Sequence, residues 1–301
     1  YKGAASQGKL AIIVGRMGIG KTTLIREFVK NKKNVLHFLV IKKESKLLRA
    51  DFQNEVREVL GTQQTFRDWN EFFQSIEETS KHLPLVVAFD EFQNLLKIDR
   101  KFLARFHEFL QKSRALTLCL SSEVRPLTKL FTKAKTSLAR RVSIFSKLKP
   151  LPYFQVRRIL GDFGFRDEED KITIYSILGG TPKYLMAAEG LNSVEDIIRS
   201  LFLKKGTPFQ AELFHVLEAL EFSKVHLSVL EAIDRGARTA TEIGKTIGLP
   251  PTSLSRYLTE LMEEELVARR VPVLGESRWG RYYLSDPFLS CLLYTSPSPR
   301  D

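Results

Sequence analysis

The residues best able to do chemistry lie near the start of the chain. Gly15 to Thr22 fit the spacing G-x-x-x-x-G-K-[ST], the pattern of a phosphate-binding loop. Gly15, Gly18 and Gly20 open backbone angles closed to other residues and let N–H groups approach an anion. Lys21 is expected to reach the β- and γ-phosphates of a nucleotide, and the Thr22 hydroxyl to ligate Mg2+. Lys21, Thr22 and Thr23 begin a helix whose positive dipole end faces the anion. The expected ligands are therefore ATP and Mg2+. A second group, Asp90 and Glu91, ends the apolar run Leu85–Phe89. Asp90 there can hold a Mg2+-bound water, and Glu91 can orient and deprotonate an attacking water.

Such groups need rigid supports, and the surrounding pattern supplies them. Lys9–Val14 reads as a buried strand and Lys21–Lys30 as a helix. Asn34–Ile41, Leu83–Phe89, Ala115–Ser121 and Val142–Leu148 read as further strands. Apolar residues at helical spacing run from Leu47 to Leu60 and from Trp69 to Thr79. Phe102, Leu103, Phe106, Phe109 and Leu110 mark another amphipathic helix. Phe72, Phe73, Phe102, Phe106 and Phe109 are expected in the core. Continuous apolar strands alternating with helices predict an α/β fold whose parallel sheet is covered on both faces. Its strand ends beside the phosphate loop form the ligand crevice. The whole strand Asn34–Ile41 between the two motifs points to the additional-strand class of phosphate-loop ATPases, which use a catalytic glutamate.

After Pro150 helical periodicity dominates, and from Lys224 a pattern of three helices and two strands follows. The expected domains are a core over 1–149, a helical lid over 150–222 and a winged helix over 223–290. The string CLLYTSPSPRD at 291–301 resembles the translation of a sequencing adapter and is expected to lie outside the fold.

In the C-terminal module, His226–Ile233 forms the first helix and Thr239 or Thr241 caps the second. Gly248–Ser253 is the turn, and Val267–Leu274 with Arg281–Leu284 the hairpin. If the module reads DNA, Thr252, Ser253, Ser255 and Arg256 meet the major groove. Arg269, Arg270, Arg278 and Arg281 then lie on or beside the wing. Residues 224–285 hold nine Lys/Arg and eight Asp/Glu, a net of +1, so a protein-contact module fits equally well. The most basic stretch lies elsewhere: residues 124–149 hold eight Lys/Arg and no Asp/Glu. It reads either as a solvated surface or as an anion-facing patch.

Five elements in order carry a family resemblance. They are the loop Gly15–Ile25, the segment Val86–Leu96, the strand end Ser121-Ser122, the stretch Leu138–Arg141, and Gly179–Leu185. The chain resembles the archaeal-type ATPases, a branch of the signal-transduction ATPases with numerous domains, related to the AAA+ group. The likeness runs from Leu10 to Pro287. It implies an ATP-hydrolysing, nucleotide-gated switch. It implies that Ser121 senses the γ-phosphate, and that Arg140 matches an arginine relatives often precede with glycine, where Ala139 stands here. Gly180 and Pro182 start a lid helix closing on the nucleotide. A segment that contacts the base precedes the first strand in relatives; the chain begins at Tyr1 and is expected to continue there. The chemistry allows a homo-oligomer in which an arginine of a neighbouring subunit stabilises charge. Two alternatives stand beside the switch: an ATP-dependent DNA-binding regulator or origin-type initiator, and a protein-interaction scaffold with weak hydrolysis.

Composition closes off other classes. The 301 residues carry 47 Lys/Arg against 35 Asp/Glu, a net charge of +12, with 43% hydrophobic residues. Disorder and collagen-like folds are excluded. No uncharged apolar run approaches the roughly 18 residues of a membrane span, so no membrane partner is expected. Two cysteines make no disulfide framework, and a reducing cytoplasm is expected. His37, His82, His107, His215 and His226 lack metal-ligand spacing. No G-x-S-x-G elbow marks a nucleophile.

Overall fold

A computed structural model describes residues 8–295 except 99–101, 133–137, 205, 208, 210, 275, 277 and 278. Arg278 of the expected wing and Lys133 and Lys135 of the basic stretch lie outside the described residues. The chain divides into two compact units, residues 1–16 with 20–148 and residues 17–19 with 149–301.

In the first unit the elements run β1 (Lys9–Val14), α1 (Lys21–Val29), β2 (Val35–Leu39), α2 (Ser45–Leu60), α3 (Trp69–His82) and β3 (Val86–Asp90). There follow α4 (Gln93–Ile98), α5 (Phe102–Lys112), β4 (Leu116–Ser121), α6 (Val124–Thr132) and β5 (Val142–Lys147). The five strands form one parallel sheet in the order β2-β3-β4-β1-β5. The strand inserted between β1 and β3 is thus β4. The sequence pattern pointed to β2, which instead takes the sheet edge beside β3. The class holds, but membership in it depends on spatial order, and chain order does not carry that information.

Aromatic side chains fill one face of this sheet. Phe72 and Phe73 of α3 and Phe102, Phe106 and Phe109 of α5 are all buried there, with Phe38, Phe52, Trp69, Phe89 and Phe92. Stacked and edge-on contacts link them, such as Phe38–Phe52 at 4.3 Å and Phe73–Phe109 at 5.0 Å between centroids. Ring pairs of this kind add directional attraction to area burial. On the opposite face Ile25 of α1 packs with Ala11, Val86, Ala88, Leu118 and Leu120. β3 is buried along its whole length, which explains its unbroken apolar sequence.

The second unit begins with α7 (Tyr153–Asp162), α8 (Glu168–Leu178), α9 (Pro182–Met186), α10 (Val194–Ile198) and α11 (Glu212–Ala219). The winged helix follows as α12 (Lys224–Asp234), α13 (Ala240–Ile247), α14 (Pro251–Glu263) and the antiparallel hairpin of β6 (Val267–Arg270) and β7 (Arg281–Leu284). Thr239 caps α13 through a reciprocal capping box with Glu242. α15 (Pro287–Thr295) ends the described chain. It takes in Cys291–Thr295, a stretch expected outside the fold, because the apolar Phe-Leu-Ser-Cys-Leu-Leu run continues the helix and Leu292 is buried.

The helical segment and the winged helix share one core, where the sequence predicted two domains. Phe288 of α15 stacks on Tyr184 of α9 at 3.9 Å and lies 5.0 Å from Phe202. The same buried cluster contains Val229, Leu230 and Leu258 of the winged helix. No helix among the described residues is long and apolar enough to cross a membrane.

Candidate functional site

In the first unit the C-terminal ends of β1, β3 and β4 carry the reactive residues, as parallel strands require. β1 ends at Val14, and Gly15 N–H then donates to the Ser121 carbonyl of β4 at 3.1 Å. Gly20 precedes α1 with φ of 95°, and no side chain caps the helix. Gly18 has φ of 80°. Both values favour glycine. α1 has no acidic residue in its own first turn, so its first N–H groups present positive potential. Thr23, third in the helix, is exposed.

Lys21 is buried, and its Nζ donates to the carbonyls of Gly15 at 2.8 Å and Arg16 at 3.2 Å. Burial lowers its pKa, while the charges of Glu91 and Asp90 oppose that shift. The Thr22 hydroxyl donates to Asp90 Oδ2 at 2.7 Å. Asp90 is only 2% exposed. Burial pushes its carboxyl up, but the His37 ring, the Thr22 hydroxyl and the Lys21 charge outweigh burial and hold it below the usual carboxylate range. His37 Nε2 lies 3.9 Å from Asp90 Oδ2 and is a buried atom without a hydrogen-bond partner.

These residues fit Mg2+. Thr22 and Asp90 offer a hydroxyl and an ionised carboxylate side by side, the hard oxygen donors this cation takes. Among the described residues no cluster of His, Cys, Asp or Glu forms a separate metal centre.

Glu91 adopts φ of 58°, a left-handed conformation that costs a non-glycine residue energy and clusters at functional positions. Its backbone N–H donates to Asp90 Oδ1 at 3.0 Å. Its Oε2 accepts from the Ser122 hydroxyl and from Gln93 Nε2, and Gln93 Nε2 also reaches Ser122 Oγ at 3.0 Å. Two side chains, one just after β3 and one just after β4, therefore orient one carboxylate.

Two expectations change here. Ser121 is fully buried, and its hydroxyl donates to the Glu123 carbonyl at 2.7 Å while accepting the Glu123 N–H. It does not face the crevice; Ser122 does, because successive residues at a strand end point to opposite sides. Arg140 sits in the turn Ala139–Arg141 before β5, beside the start of β1, since Leu10 pairs with Val142. The phosphate loop follows the other end of β1. A six-residue strand separates the ends by about 20 Å, so Arg140 does not join this chain's own loop. Gln93, Ser122 and His37 are the site residues that motif reading missed. Their only signal was adjacency to Asp90-Glu91 and Ser121, and His37 had none.

In the second unit, Gly180 packs its backbone against Leu151. A Cβ there would lie 1.9 Å from the Leu151 carbonyl oxygen, and Leu151 N–H donates to the Gly180 carbonyl at 2.8 Å. Pro182 opens α9 behind Thr181. The loop tip Met17–Ile19 is grouped with this unit, and Lys183 N–H donates to the Gly18 carbonyl at 3.2 Å. Lys183 Nζ contacts both oxygens of the buried Glu212, at 2.7 and 2.6 Å.

On α14, Thr252, Ser253, Ser255 and Arg256 are all exposed. Arg256 Nε donates to Glu260 Oε1 at 3.1 Å, and Glu260 is itself buried against His226 at 2.9 Å. Arg269 and Arg270 are exposed on β6 and lie over the rings of Tyr282 and Tyr283.

The family described as an ATPase domain predominantly from Archaea matches residues 4–188. The IclR helix-turn-helix domain matches residues 226–270. An uncharacterized protein of Methanocaldococcus jannaschii is 25% identical over 287 residues. That match takes in 93% of this chain but only 62% of the relative's length. Among solved structures, a Walker-type ATPase of Pyrococcus abyssi superposes with a TM-score of 0.72 at 17% identity, over 95% of this chain and 91% of that one. The Aeropyrum pernix ORC2 protein, solved as ADPNP–ADP complexes, gives 0.60 at 18% identity, over 96% and 89%. At these identities the likeness is one of fold.

Proposed function

The chain belongs to the family of ATPase domains found predominantly in Archaea, and we propose that it binds ATP with Mg2+ at Gly15–Thr22 and hydrolyses it as a nucleotide-gated switch. The observation that carries this reading is the convergence of Lys21, the Thr22–Asp90 pair and the braced Glu91 carboxylate at the C-terminal ends of β1 and β3, with Ser122 at the end of β4 between them. Lys21 exchanges its two loop carbonyls for the β- and γ-phosphate oxygens. Thr22 and Asp90 would hold Mg2+, which would supply positive charge to the phosphates when bound. Glu91 accepts a proton from a water aligned with the γ-phosphorus. The new O–P bond forms as the bond from phosphorus to the β–γ bridging oxygen breaks, leaving ADP and phosphate. Gln93 and Ser122 hold the Glu91 carboxylate in one orientation through this step. Arg140 is suited to stabilise transition-state charge only toward a neighbouring copy.

Glu91→Gln tests the proposal. It keeps the size and removes the base, so ATP binding should persist while turnover falls at least about 10²-fold. Binding is read by fluorescent-ATP titration and turnover by phosphate release. Turnover within a few-fold of the unaltered protein rules out Glu91 as the base.

A second reading, that ATP sets the conformation of a DNA-binding regulator, is favoured by the four exposed polar side chains on the first turns of α14 within the helix-turn-helix match.

A further inference from the structure

Two arginines of the basic stretch 124–149 line a pocket away from this chain's own phosphate loop. At the far end of the sheet from the phosphate loop, a pocket of about 630 Å3 is bounded by Lys9, His107, Gln111, Arg140, Arg141 and Ser143. Lys9 starts β1, Arg140 and Arg141 form the turn before β5, and Ser143 follows within β5. His107 and Gln111 lie one turn apart on α5, with Gln111 Nε2 3.3 Å from His107 Nδ1. All belong to the first unit. The volume is in the range of small-molecule sites.

We infer that this pocket binds a phosphate-bearing anion, separately from the phosphate loop. Three side chains that carry positive charge converge on it, and among the described residues that line it none is acidic. Such an arrangement raises the local concentration of anions. Two arginines can grip phosphate oxygens bidentately. The Ser143 hydroxyl, the Gln111 amide and the His107 ring supply further hydrogen bonds. Among the described residues that line it none is Phe, Tyr or Trp, so its lining is suited to the charged group more than to a base. The chemistry fits a condensed phosphate, as in pyrophosphate or a nucleotide tail, and equally a nucleic-acid backbone phosphate. The inference stands apart from the ATPase proposal, because the test removes Lys21.

The experiment is calorimetric titration of the full chain carrying Lys21→Ala with sodium pyrophosphate. Saturable binding is expected, weakened at least tenfold by Arg140→Gln with Arg141→Gln and about threefold by Lys9→Gln alone. Circular dichroism checks folding of each variant, and the exposed Lys9 leaves a mild substitution should the double change disturb β5. Absence of saturable binding once Lys21 is replaced, or affinity unmoved by both sets of changes, overturns the inference. A short single-stranded oligonucleotide identifies the source. Displacement of pyrophosphate with the same arginine dependence supports the site as one for backbone phosphate. Failure to displace it supports a site for free condensed phosphate.

Discussion

Lys21 and Asp90 are the two charged groups held most closely at the proposed nucleotide site. The ammonium is buried against two carbonyls, so in the proposed complex phosphate would replace neutral partners with charged ones, which form stronger hydrogen bonds. Replacing Lys21 with Ala should abolish tight ATP binding, and equal affinity in a fluorescent-ATP titration would contradict the assignment. Asp90 gives a pH prediction. Its folded pKa is lowered by the His37 ring and the Thr22 hydroxyl against the push of burial. Its stabilising contribution is therefore full above the unfolded value of about 3.9 and is lost as pH falls through the lower folded value. In thermal melts without nucleotide, Asp90→Asn should melt below the unaltered protein at neutral pH. The gap should close on acidification below that range. A gap that stays constant to low pH would mean that Asp90 does not titrate as a held carboxylate.

Helix α14 presents its polar residues outward but restrains the longest of them. Arg256 must leave Glu260 before it can span to a base edge, and Glu260 is already paired with His226. If α14 reads DNA, Arg256→Ala should relax sequence preference and cost about 1–3 kcal/mol of specific affinity. Changing Arg269 and Arg270 together to Ala should weaken all sequences alike. It should also reduce the slope of log affinity against log salt by about 2. Gel shifts of the full chain at several salt concentrations measure both effects. A protein whose DNA affinity ignores salt and all three arginines would have a winged helix that serves protein contact or packing.

The helical segment and the winged helix fall within one compact unit and share one buried cluster. α15 ties the helical segment to the winged helix through Phe288, which is fully buried and stacked on Tyr184. Phe288→Ala should cost about 3–5 kcal/mol and loosen both parts together. Hydrogen exchange should show faster amide exchange in α9 and in α12 alike, with the aromatic core of the first unit unchanged. Acceleration confined to one part would restore the reading of two separate domains. The shared core also means that a DNA test on residues 223–290 alone would strip Phe288 of Tyr184 and Phe202.

The sequence by itself determined what depends on short chain separations. The phosphate loop, the Asp90-Glu91 pair, the strand runs and the cap at Thr239 each lie within a few residues, where backbone geometry ties spacing to position. The aromatic core was legible for the same reason, since helical period alone puts Phe72, Phe73, Phe102, Phe106 and Phe109 on buried faces. Tertiary structure decided what depends on which distant segments become neighbours. Strand order inserted β4 beside β1 and sent β2 to the edge. The alternation of side chains at the end of β4 turned Ser122 rather than Ser121 toward Glu91. Parallel pairing of β5 with β1 carried Arg140 away from the phosphate loop and into a pocket with Lys9 and His107. A motif records residue types along one line. The sheet's order and parity, set by packing across dozens of residues, assign those types to one end of the sheet or the other.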